Sequence, residues 1–229
     1  MENQKIEMLK RIQIFSSLTS EGLDSISSEI ILKKFKKNKI ILHEEDTNVF
    51  MYAILSGKVK VARTNEEGKE VILAMHQAGD FFGEMTLIDG KTVPASVVAI
   101  EDSDIMLISR KSFYSMVFSN RKVLEELMQI LCSRLRESWD RIDILSFNNA
   151  SQRIKMLFIL LADKYGKKTD KGTTLNIKLT HQDIANMTGI SRETVTRVID
   201  KLQRDKAITV LKDKFMHLSH NFLQKDIIL

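Results

Sequence analysis

The strongest constraint on the fold is a run of 27 residues without glycine or proline, RKVLEELMQILCSRLRESWDRIDILSF at 121–147. Glycine and proline are the usual helix breakers, so this run predicts one long helix. At 1.5 Å per residue the helix would span about 40 Å, which is longer than a small neighbouring domain needs. It would separate a strand-rich region of the chain from a helix-rich one.

The apolar residues of this run repeat in alternating steps of four and three, with Ser138 in the one polar slot. Such heptad spacing is typical of the seam that two helices share in a coiled coil. We therefore predict that two copies of the chain pair through this helix. A helix that packs against its own domain can show a similar stripe, so this alternative stays open. The predicted dimer seam consists of Leu124, Met128, Leu131, Leu135, Ile142 and Leu145.

Short β-branched and apolar segments follow one another between Ile30 and Arg110, with glycines in the turns between them. Regularly spaced short strands with turn residues predict an all-β sandwich or barrel. The predicted strands are KIILH (39–43), FMYAIL (50–55), KVKVART (58–64), EVILAMH (70–76), ASVVAI (95–100) and DIMLIS (104–109).

The part of the chain after the long helix predicts a smaller, mainly helical unit. Residues 151–166 have the apolar face of a second helix. The basic, polar stretch KKTDKGTT at 167–174 is interpreted as a loop. Residues 179–229 then have the pattern of a helix, a turn, a second helix and a hairpin.

Two helices joined by a glycine turn form the most specific motif in the chain. Thr180 precedes the first helix, HQDIANMT, and Asp183 completes a pattern like that of a capping box. Gly189 ends this helix, and Ser191 is placed to cap the second one, RETVTRVIDKLQRD. The spacing is that of a helix-turn-helix. The apolar stripe of the second helix, which would face the core, is Val195, Val198, Ile199 and Leu202.

The first turn of the second helix carries Arg192, Glu193, Thr196 and Arg197 on its outer side. Arginine can bond O6 and N7 of guanine together, and glutamate can accept a hydrogen bond from N4 of cytosine. These residues are therefore candidates for reading base edges in the major groove of DNA. The alternative is an ion pair between Glu193 and Arg197 on a solvated helix. That alternative does not account for the glycine turn and the paired caps.

Charge is distributed unevenly along the chain. Residues 151–229 hold 15 Lys and Arg against 8 Asp and Glu, a net charge of +7. Residues 1–150 hold 20 against 22, a net charge of −2. This asymmetry indicates that the C-terminal part contacts a polyanion, with nucleic acid as the first candidate.

Several function classes lack the residues that they need. Cys132 is the only cysteine, so this chain alone cannot build an internal disulfide, a zinc finger or a four-cysteine cluster. We interpret it as a small buried hydrophobe, with a redox switch as the alternative. No catalytic spacing or phosphate-cradling glycine loop is found, so we expect no enzyme. Without a signal peptide or a long apolar run, we expect a cytoplasmic protein with no membrane partner.

Two motifs resemble those of one protein family, in the same order. The segment SRETVTRVIDKL at 191–202 resembles the recognition helix of the cyclic-AMP receptor protein and fumarate–nitrate regulator (Crp/Fnr) family. The segment FFGEMTL at 81–87 resembles that family's phosphate-binding cassette. The resemblance covers nearly the whole chain and implies an α+β fold. Its expected parts are a cyclic-nucleotide-binding-like β-roll (jelly roll) at 1–119, a dimerisation helix at 120–148 and a winged helix-turn-helix at 149–229.

The resemblance also implies residue roles and partners. Arg192, Glu193 and Arg197 fall on the base-reading positions of the receptor-protein subgroup. The implied partners are a palindromic double-stranded DNA site with TGTGA-like half-sites, RNA polymerase and a second copy of the chain. The expected DNA-backbone contacts, two lysines of the predicted wing included, are Thr180, Gln182, Ser191, Thr194, Lys212 and Lys214.

The cassette contains only part of the family's nucleotide-binding pattern. Gly83 and Glu84 match the family's Gly-Glu, whose glutamate takes the ribose hydroxyl, but Val93 and Pro94 replace the Arg-Ser pair that holds the cyclic phosphate. Valine carries no charge, proline has no backbone N–H, and Lys91 is a poor substitute for a bidentate arginine. The sequence therefore argues against cyclic AMP and leaves the effector unknown. The predicted effector pocket is Gly83, Glu84, Met85, Thr86, Ser138 and Trp139.

Other sensing chemistries rest on single residues. Trp139, the only tryptophan, is interpreted as a buried seam residue, with an altered effector pocket as the alternative. His43 and His76 could ligate haem, as histidines do in some relatives. A lone histidine near a strand end is more often structural.

These observations predict a homodimeric, sequence-specific transcription regulator that is controlled allosterically. An effector in the β-roll would bias a two-state equilibrium and move a hinge near 147–151, with the long helix as the coupling element. Two alternatives stay open. One is a cyclic-nucleotide-binding module that acts through a protein partner, against which the helix with Arg192, Glu193 and Arg197 argues. The other is a regulator that needs no effector.

Overall fold

The computed structural model describes residues 7–16, 18, 29–147, 149–211 and 214–224. The chain forms two compact units that divide between Arg134 and Leu135. Among the helices of the described residues, none combines the length and the apolar composition that a membrane crossing requires.

The first unit is built mainly from antiparallel strands. Its strands are β1 (Ile31–Phe35), β2 (Ile40–Leu42), β3 (Phe50–Ser56), β4 (Lys58–Thr64), β5 (Glu70–Gln77), β6 (Phe81–Phe82), β7 (Ser96–Ala99) and β8 (Ser103–Ser109). They form one sheet of order β1-β8-β3-β6 and another of order β2-β7-β4-β5. The helices are α1 (Glu84–Asp89), α2 (Arg110–Ser119) and the beginning of α3 (Arg121–Ser146). The predicted β-roll is confirmed by these two sheets, whereas helix α1 and the strands β1 and β6 were not specified by the sequence.

Two apolar clusters hold the first unit together. One lies between the sheets and includes the stacked rings of Tyr52 and Phe82, whose centroids are 5.0 Å apart. The other includes Met51 and Phe81 from the strands and Phe113 from α2. Burying one such side chain contributes about 1.5–3 kcal/mol, so the alternation of buried and exposed residues along the strands specifies the register.

Helix α3 confirms the predicted long helix and has two apolar faces. On one face, Val123, Leu127 and Ile130 are buried in the core of the first unit. The other face is the predicted seam, where Leu124 and Leu131 pack partly against that core. The exposed seam residues are Met128 (58%), Leu135 (51%), Ile142 (63%) and Leu145 (46%). The helix thus packs against its own unit through residues other than the exposed seam.

The second unit combines helices with a four-stranded antiparallel sheet. Its helices, after the end of α3, are α4 (Ala150–Tyr165), α5 (His181–Thr188), α6 (Arg192–Arg204) and α7 (His220–Gln224). Its strands are β9 (Gly166–Thr169), β10 (Gly172–Leu175), β11 (Ile208–Val210) and β12 (Met216–Ser219), in the order β11-β12-β10-β9. The predicted winged helix-turn-helix is confirmed, with β11 and β12 as the wing.

The interpretation of KKTDKGTT as a loop is wrong, because this stretch forms most of the β9–β10 hairpin. Strand β10 pairs with β12 on its other side, which buries Thr173 and Leu175. A residue of β12 also contacts the turn of this hairpin, since the ring of His217 lies 3.3 Å from the Lys171 carbonyl oxygen. Pairing with a distant strand decided the structure of a segment that has no apolar alternation of its own.

Candidate nucleic-acid interface and effector site

Helix α5 is fixed at both ends by local interactions. The backbone N–H of Asp183 donates to Oγ1 of Thr180 (3.0 Å), and the Asp183 carboxylate accepts from the Thr180 N–H (2.8 Å). This is the reciprocal capping box that the sequence indicates. The helix ends at Gly189, whose φ of 67° lies in the left-handed region that favours glycine. A Cβ there would lie 3.3 Å from Cδ2 of Leu145.

Helix α6 starts immediately after this turn. Ser191 caps it, with its Oγ accepting a hydrogen bond from the Thr194 N–H at 3.2 Å. Val195 and Ile199 are fully buried against the core of the unit. The opposite side of the first two turns therefore faces away from the core.

Arg192, Glu193 and Arg197 are exposed on that opposite side. Among the described residues, no ion pair joins Glu193 to Arg197. The Arg197 guanidinium donates instead to Oγ1 of Thr194, at 3.1 Å. The three side chains that the sequence selected thus lie together on one accessible helix face. The alternative interpretation, a mutual ion pair, is not what the structure contains.

The sequence analysis did not predict a hydrogen bond that joins α5 to α6. Nδ1 of His181, the first residue of α5, lies 2.8 Å from Oγ1 of Thr196 on α6. The same hydroxyl donates to the carbonyl of Arg192, at 3.0 Å. A polar residue at the start of one helix carries no sequence signal that it will bond a residue 15 positions away.

Of the predicted backbone contacts, the structure places Thr180, Ser191 and Thr194 at the two helix starts and Gln182 on the exposed side of α5. Lys214 is exposed in the wing with a φ of 68°. Lys212 lies outside the described residues. Lys178, which the sequence analysis did not select, holds its Nζ 5.1 Å from the ring centre of Phe215 in the same wing region.

The segment between α3 and α4 is tied to the helix-turn-helix by one side chain. The guanidinium of Arg153 donates to the carbonyl of Phe147 (2.6 Å) and to the carbonyl of Thr188 (3.1 Å). Phe147 follows α3, and Thr188 is the last residue of α5. Sequence reasoning missed Arg153, although it did place a hinge next to it.

The end of α3 also carries a partly buried cation, Arg141. Burial lowers the pKa of the Arg141 guanidinium, while Tyr165 and Glu137 oppose that shift. Glu137 in addition pairs with Lys164 of α4 at 2.9 Å. Charged contacts therefore fix α3 against α4 within the second unit.

The cassette of the first unit is a tight turn that leads into α1. Gly83 has a φ of 82°, and a Cβ on it would lie 2.9 Å from the ring of Tyr52. The side-chain amide of Asn48 donates to the Gly83 carbonyl (3.1 Å) and to Oγ1 of Thr86 (2.9 Å). Burial raises the pKa of Tyr52 in this environment. Asn48 is another residue that the sequence analysis missed.

The carboxylate of Glu84 is satisfied from within the protein. Only 2% of this residue is exposed, and its Oε1 lies 2.7 Å from Nη1 of Arg134 on α3. Nη2 of Arg134 donates to the Phe81 carbonyl, and the guanidinium lies 4.6 Å over the Phe81 ring. Arg134 was not among the predicted pocket residues.

The remaining predicted pocket residues are spread over both units. Met85 is 52% exposed on α1. Ser138 and Trp139 belong to the second unit and are both exposed. In the single chain 55% of Trp139 is accessible, so its burial in a dimer seam stays a prediction that needs a partner helix. Cys132 is also exposed in the single chain, so the chain by itself does not bury it, and its interpretation as a buried hydrophobe stays a prediction that depends on the dimer.

Val93 and Pro94 have different environments. Val93 is 3% exposed and belongs to the cluster between the sheets. Its backbone pairs with the loop after β2, where its N–H donates to the Asp46 carbonyl at 2.9 Å. Pro94 is exposed. The position that the family resemblance assigns to arginine is therefore filled by an apolar core side chain.

The two histidines considered as haem ligands are unalike. His43 is exposed, whereas His76 is buried, stacks at 6.5 Å on the Phe82 ring and lies 3.8 Å from the Asp80 carboxylate. His76 has the environment of a core residue. Among the described residues, no group of three or more His, Cys, Asp or Glu is arranged to hold a metal ion.

Comparison with known proteins agrees with this division of the chain. The model of the cyclic nucleotide-binding domain matches residues 32–120, and that of the Crp-like helix-turn-helix domain matches residues 152–225. The chain is 30% identical over 200 residues to the cyclic AMP receptor protein of Thermus thermophilus, covering 87% of this chain and 89% of that one. It is 32% identical over 187 residues to the cAMP-activated global transcriptional regulator CRP of Haemophilus influenzae, covering 81% and 83%.

Solved structures show the same fold. A mutant of CooA from Carboxydothermus hydrogenoformans matches with a TM-score of 0.75 and 22% identity, over 93% of this chain and 91% of that one. At this identity the match establishes the arrangement of elements and nothing about ligands.

Proposed function

This chain belongs to the Crp/Fnr family of DNA-binding transcription regulators, and we propose that it acts as a homodimer that reads a palindromic operator. The observation that carries this proposal is the exposed face of α6, where Arg192, Glu193 and Arg197 stand free of the core on a helix with a fixed start. A recognition helix that enters the major groove needs such a face.

The chemistry of that face suits G·C pairs. Arg192 and Arg197 can each bond O6 and N7 of guanine, and Glu193 can accept from N4 of cytosine. Around them, hydroxyl, amide and ammonium groups can hold the phosphates and so set the position of the helix on the duplex. We assign that role to Thr180, Gln182, Ser191, Thr194 and Lys214, and it stays a prediction for Lys212.

The seam of α3 supports pairing with a second copy of the chain. Met128, Leu135 and Ile142 recur every seven residues, and each is more than half exposed. Leaving a stripe of large apolar side chains in water is unfavourable, and a second identical helix would cover it. Two-fold symmetry then requires an operator with inverted half-sites, for which we propose sequences like TGTGA. RNA polymerase is the further partner that membership of the family implies.

We propose that the effector is not cyclic AMP. The two relatives named above carry cyclic AMP in their names, at 30% and 32% identity. In this chain, Val93 fills the place of the phosphate-binding arginine with a buried apolar side chain, and Glu84 is already paired with Arg134. A cyclic phosphate would lose its bidentate partner there. Any ligand that binds Glu84 must share its carboxylate with Arg134.

The same ion pair favours a second candidate, a regulator that needs no effector. Glu84 belongs to the cassette and Arg134 to α3, so their bond already joins the elements that a bound effector would join. Under this candidate the DNA-binding state is populated without a ligand. An effector-dependent regulator would instead bind its operator only after a ligand is added.

Selection from a random DNA library tests the proposal. The purified full chain should enrich a palindrome with two G·C-containing half-sites. Binding without any added ligand would support the effector-independent candidate. Recovery of unrelated sequences, with no inverted repeat, would contradict the proposed function.

A further inference from the structure

We propose that Thr196 is a specificity-determining residue that selects a thymine in each half-site through its methyl group, because its hydroxyl is held inside the protein. This inference rests on the proposed function, since it assumes that α6 reads the major groove. Thr196 lies one turn after Arg192 and next to Arg197 on that helix, and it is partly exposed. It therefore shares the face that carries the proposed base-reading residues.

One assignment satisfies both hydrogen bonds of Thr196, and in it His181 carries a hydrogen on Nδ1. A threonine hydroxyl has one hydrogen to donate. The Arg192 carbonyl, 3.0 Å away, can only accept, so it receives that hydrogen. Nδ1 of His181, 2.8 Å away, must then be the donor of the second bond. The hydroxyl has no hydrogen left for guanine O6, adenine N7 or thymine O4.

With the hydrogen of its hydroxyl donated within the protein, Thr196 offers its methyl group to a base. In the major groove, the C5 methyl of thymine is the apolar feature that distinguishes this base, and threonine methyl groups are among its usual contacts. A hydroxyl that is free to rotate would offer both donor and acceptor properties and would tolerate several bases. A hydroxyl that His181 holds makes the contact apolar and therefore selective for thymine.

His181 is a positioning residue in this scheme. It touches Thr196 and need not touch DNA, and its bond joins the first residue of α5 to the second turn of α6. Its loss should therefore broaden base preference at one position more than it lowers affinity overall. A merely structural bond between two helices would lower binding to all sequences alike.

Replacing single thymines of the selected operator by deoxyuridine removes only the C5 methyl and tests the inference directly. For the unaltered chain, one thymine per half-site should be sensitive, with binding weakened about fourfold by each replacement, the factor that corresponds to about 0.8 kcal/mol for one buried carbon. The other thymines should be insensitive. If no thymine in the half-site responds, the inference is wrong, although a palindrome was selected. If no palindrome is selected, the proposed function fails first.

Matched variants separate the methyl from the hydroxyl. Thr196→Val keeps a methyl group and should retain the deoxyuridine sensitivity, whereas Thr196→Ser keeps the hydroxyl and should lose it. His181→Ala should reduce the sensitivity, and His181→Gln, which keeps a donor, should restore part of it. Thr64→Ser removes an exposed methyl from β4 and should change nothing. Sensitivity that persists in Thr196→Ser and disappears in Thr196→Val would overturn the assignment, because it would show that the hydroxyl reads the base.

Discussion

The guanidinium of Arg134, on the long helix α3, donates to the buried carboxylate of Glu84 at 2.7 Å. Glu84 follows the left-handed Gly83 at the start of α1, so the ion pair connects the cassette to the helix that carries the predicted dimer seam. Phe81 adds a carbonyl and an aromatic face to the same guanidinium. The ion pair therefore joins the cassette to the middle of α3 in this chain.

Removing only one partner of this ion pair should lower the free energy of unfolding. Arg134→Met leaves a buried carboxylate without its partner, and we expect a loss of about 3 kcal/mol in the free energy of unfolding. Adding Glu84→Gln should recover part of it, because the double variant no longer buries a charge. Urea denaturation measures both values. Arg121→Met, whose partner Glu125 is exposed, is the control and should cost at most about 1 kcal/mol. Equal losses of unfolding free energy in Arg134→Met and Arg121→Met would show that the buried Glu84 pair stabilises the chain no more than an exposed pair does.

The seam predicts the oligomeric state. Leu135→Asp combined with Ile142→Asp places two charges on the exposed stripe of α3, and sedimentation should then show monomers. These two positions are chosen because they are exposed in the single chain, so the substitutions spare its core. Ser133→Asp adds a charge to the same helix two positions before Leu135, away from the seam, and should leave a dimer. A doubly charged seam that still sediments as a dimer would place the interface elsewhere.

Cyclic AMP should not bind at micromolar concentrations. Titration calorimetry of the full chain should give no heat of binding beyond dilution, and the affinity for the operator should be the same with and without the nucleotide. The reason is the loss of the phosphate-binding pair at Val93 and Pro94, together with the occupied carboxylate of Glu84. A micromolar dissociation constant would mean that another group holds the cyclic phosphate.

Local signals predicted most of this fold. Alternation and turn glycines located the major strands, and β4 at Lys58–Thr64 matches its predicted segment residue for residue. The capping pattern at Thr180 and Ser191 gave the starts of α5 and α6, because caps are interactions over three residues. The recognition-helix face followed from the apolar stripe on the opposite side of α6.

Interactions between residues that are far apart in the chain could not be predicted from the sequence. The β9–β10 hairpin depends on pairing with β12, and the Glu84 carboxylate depends on an arginine 50 positions away. His181 and Arg153 likewise bond partners on other helices. Such bonds join residues that only the tertiary fold brings together, so neither periodicity nor spacing could indicate them.

The base-reading assignment predicts two classes of variant that selected-site sequencing can separate. Arg192→Ala or Arg197→Ala should relax the preference at one base pair in each half-site, because a bidentate arginine–guanine contact discriminates by about 1–3 kcal/mol. Selectivity should fall more than overall affinity. Lys214→Gln, in the exposed wing, should instead weaken binding to all sequences alike and reduce the salt dependence, since a phosphate contact carries no base information. An unchanged motif for Arg192→Ala would mean that α6 does not read the bases.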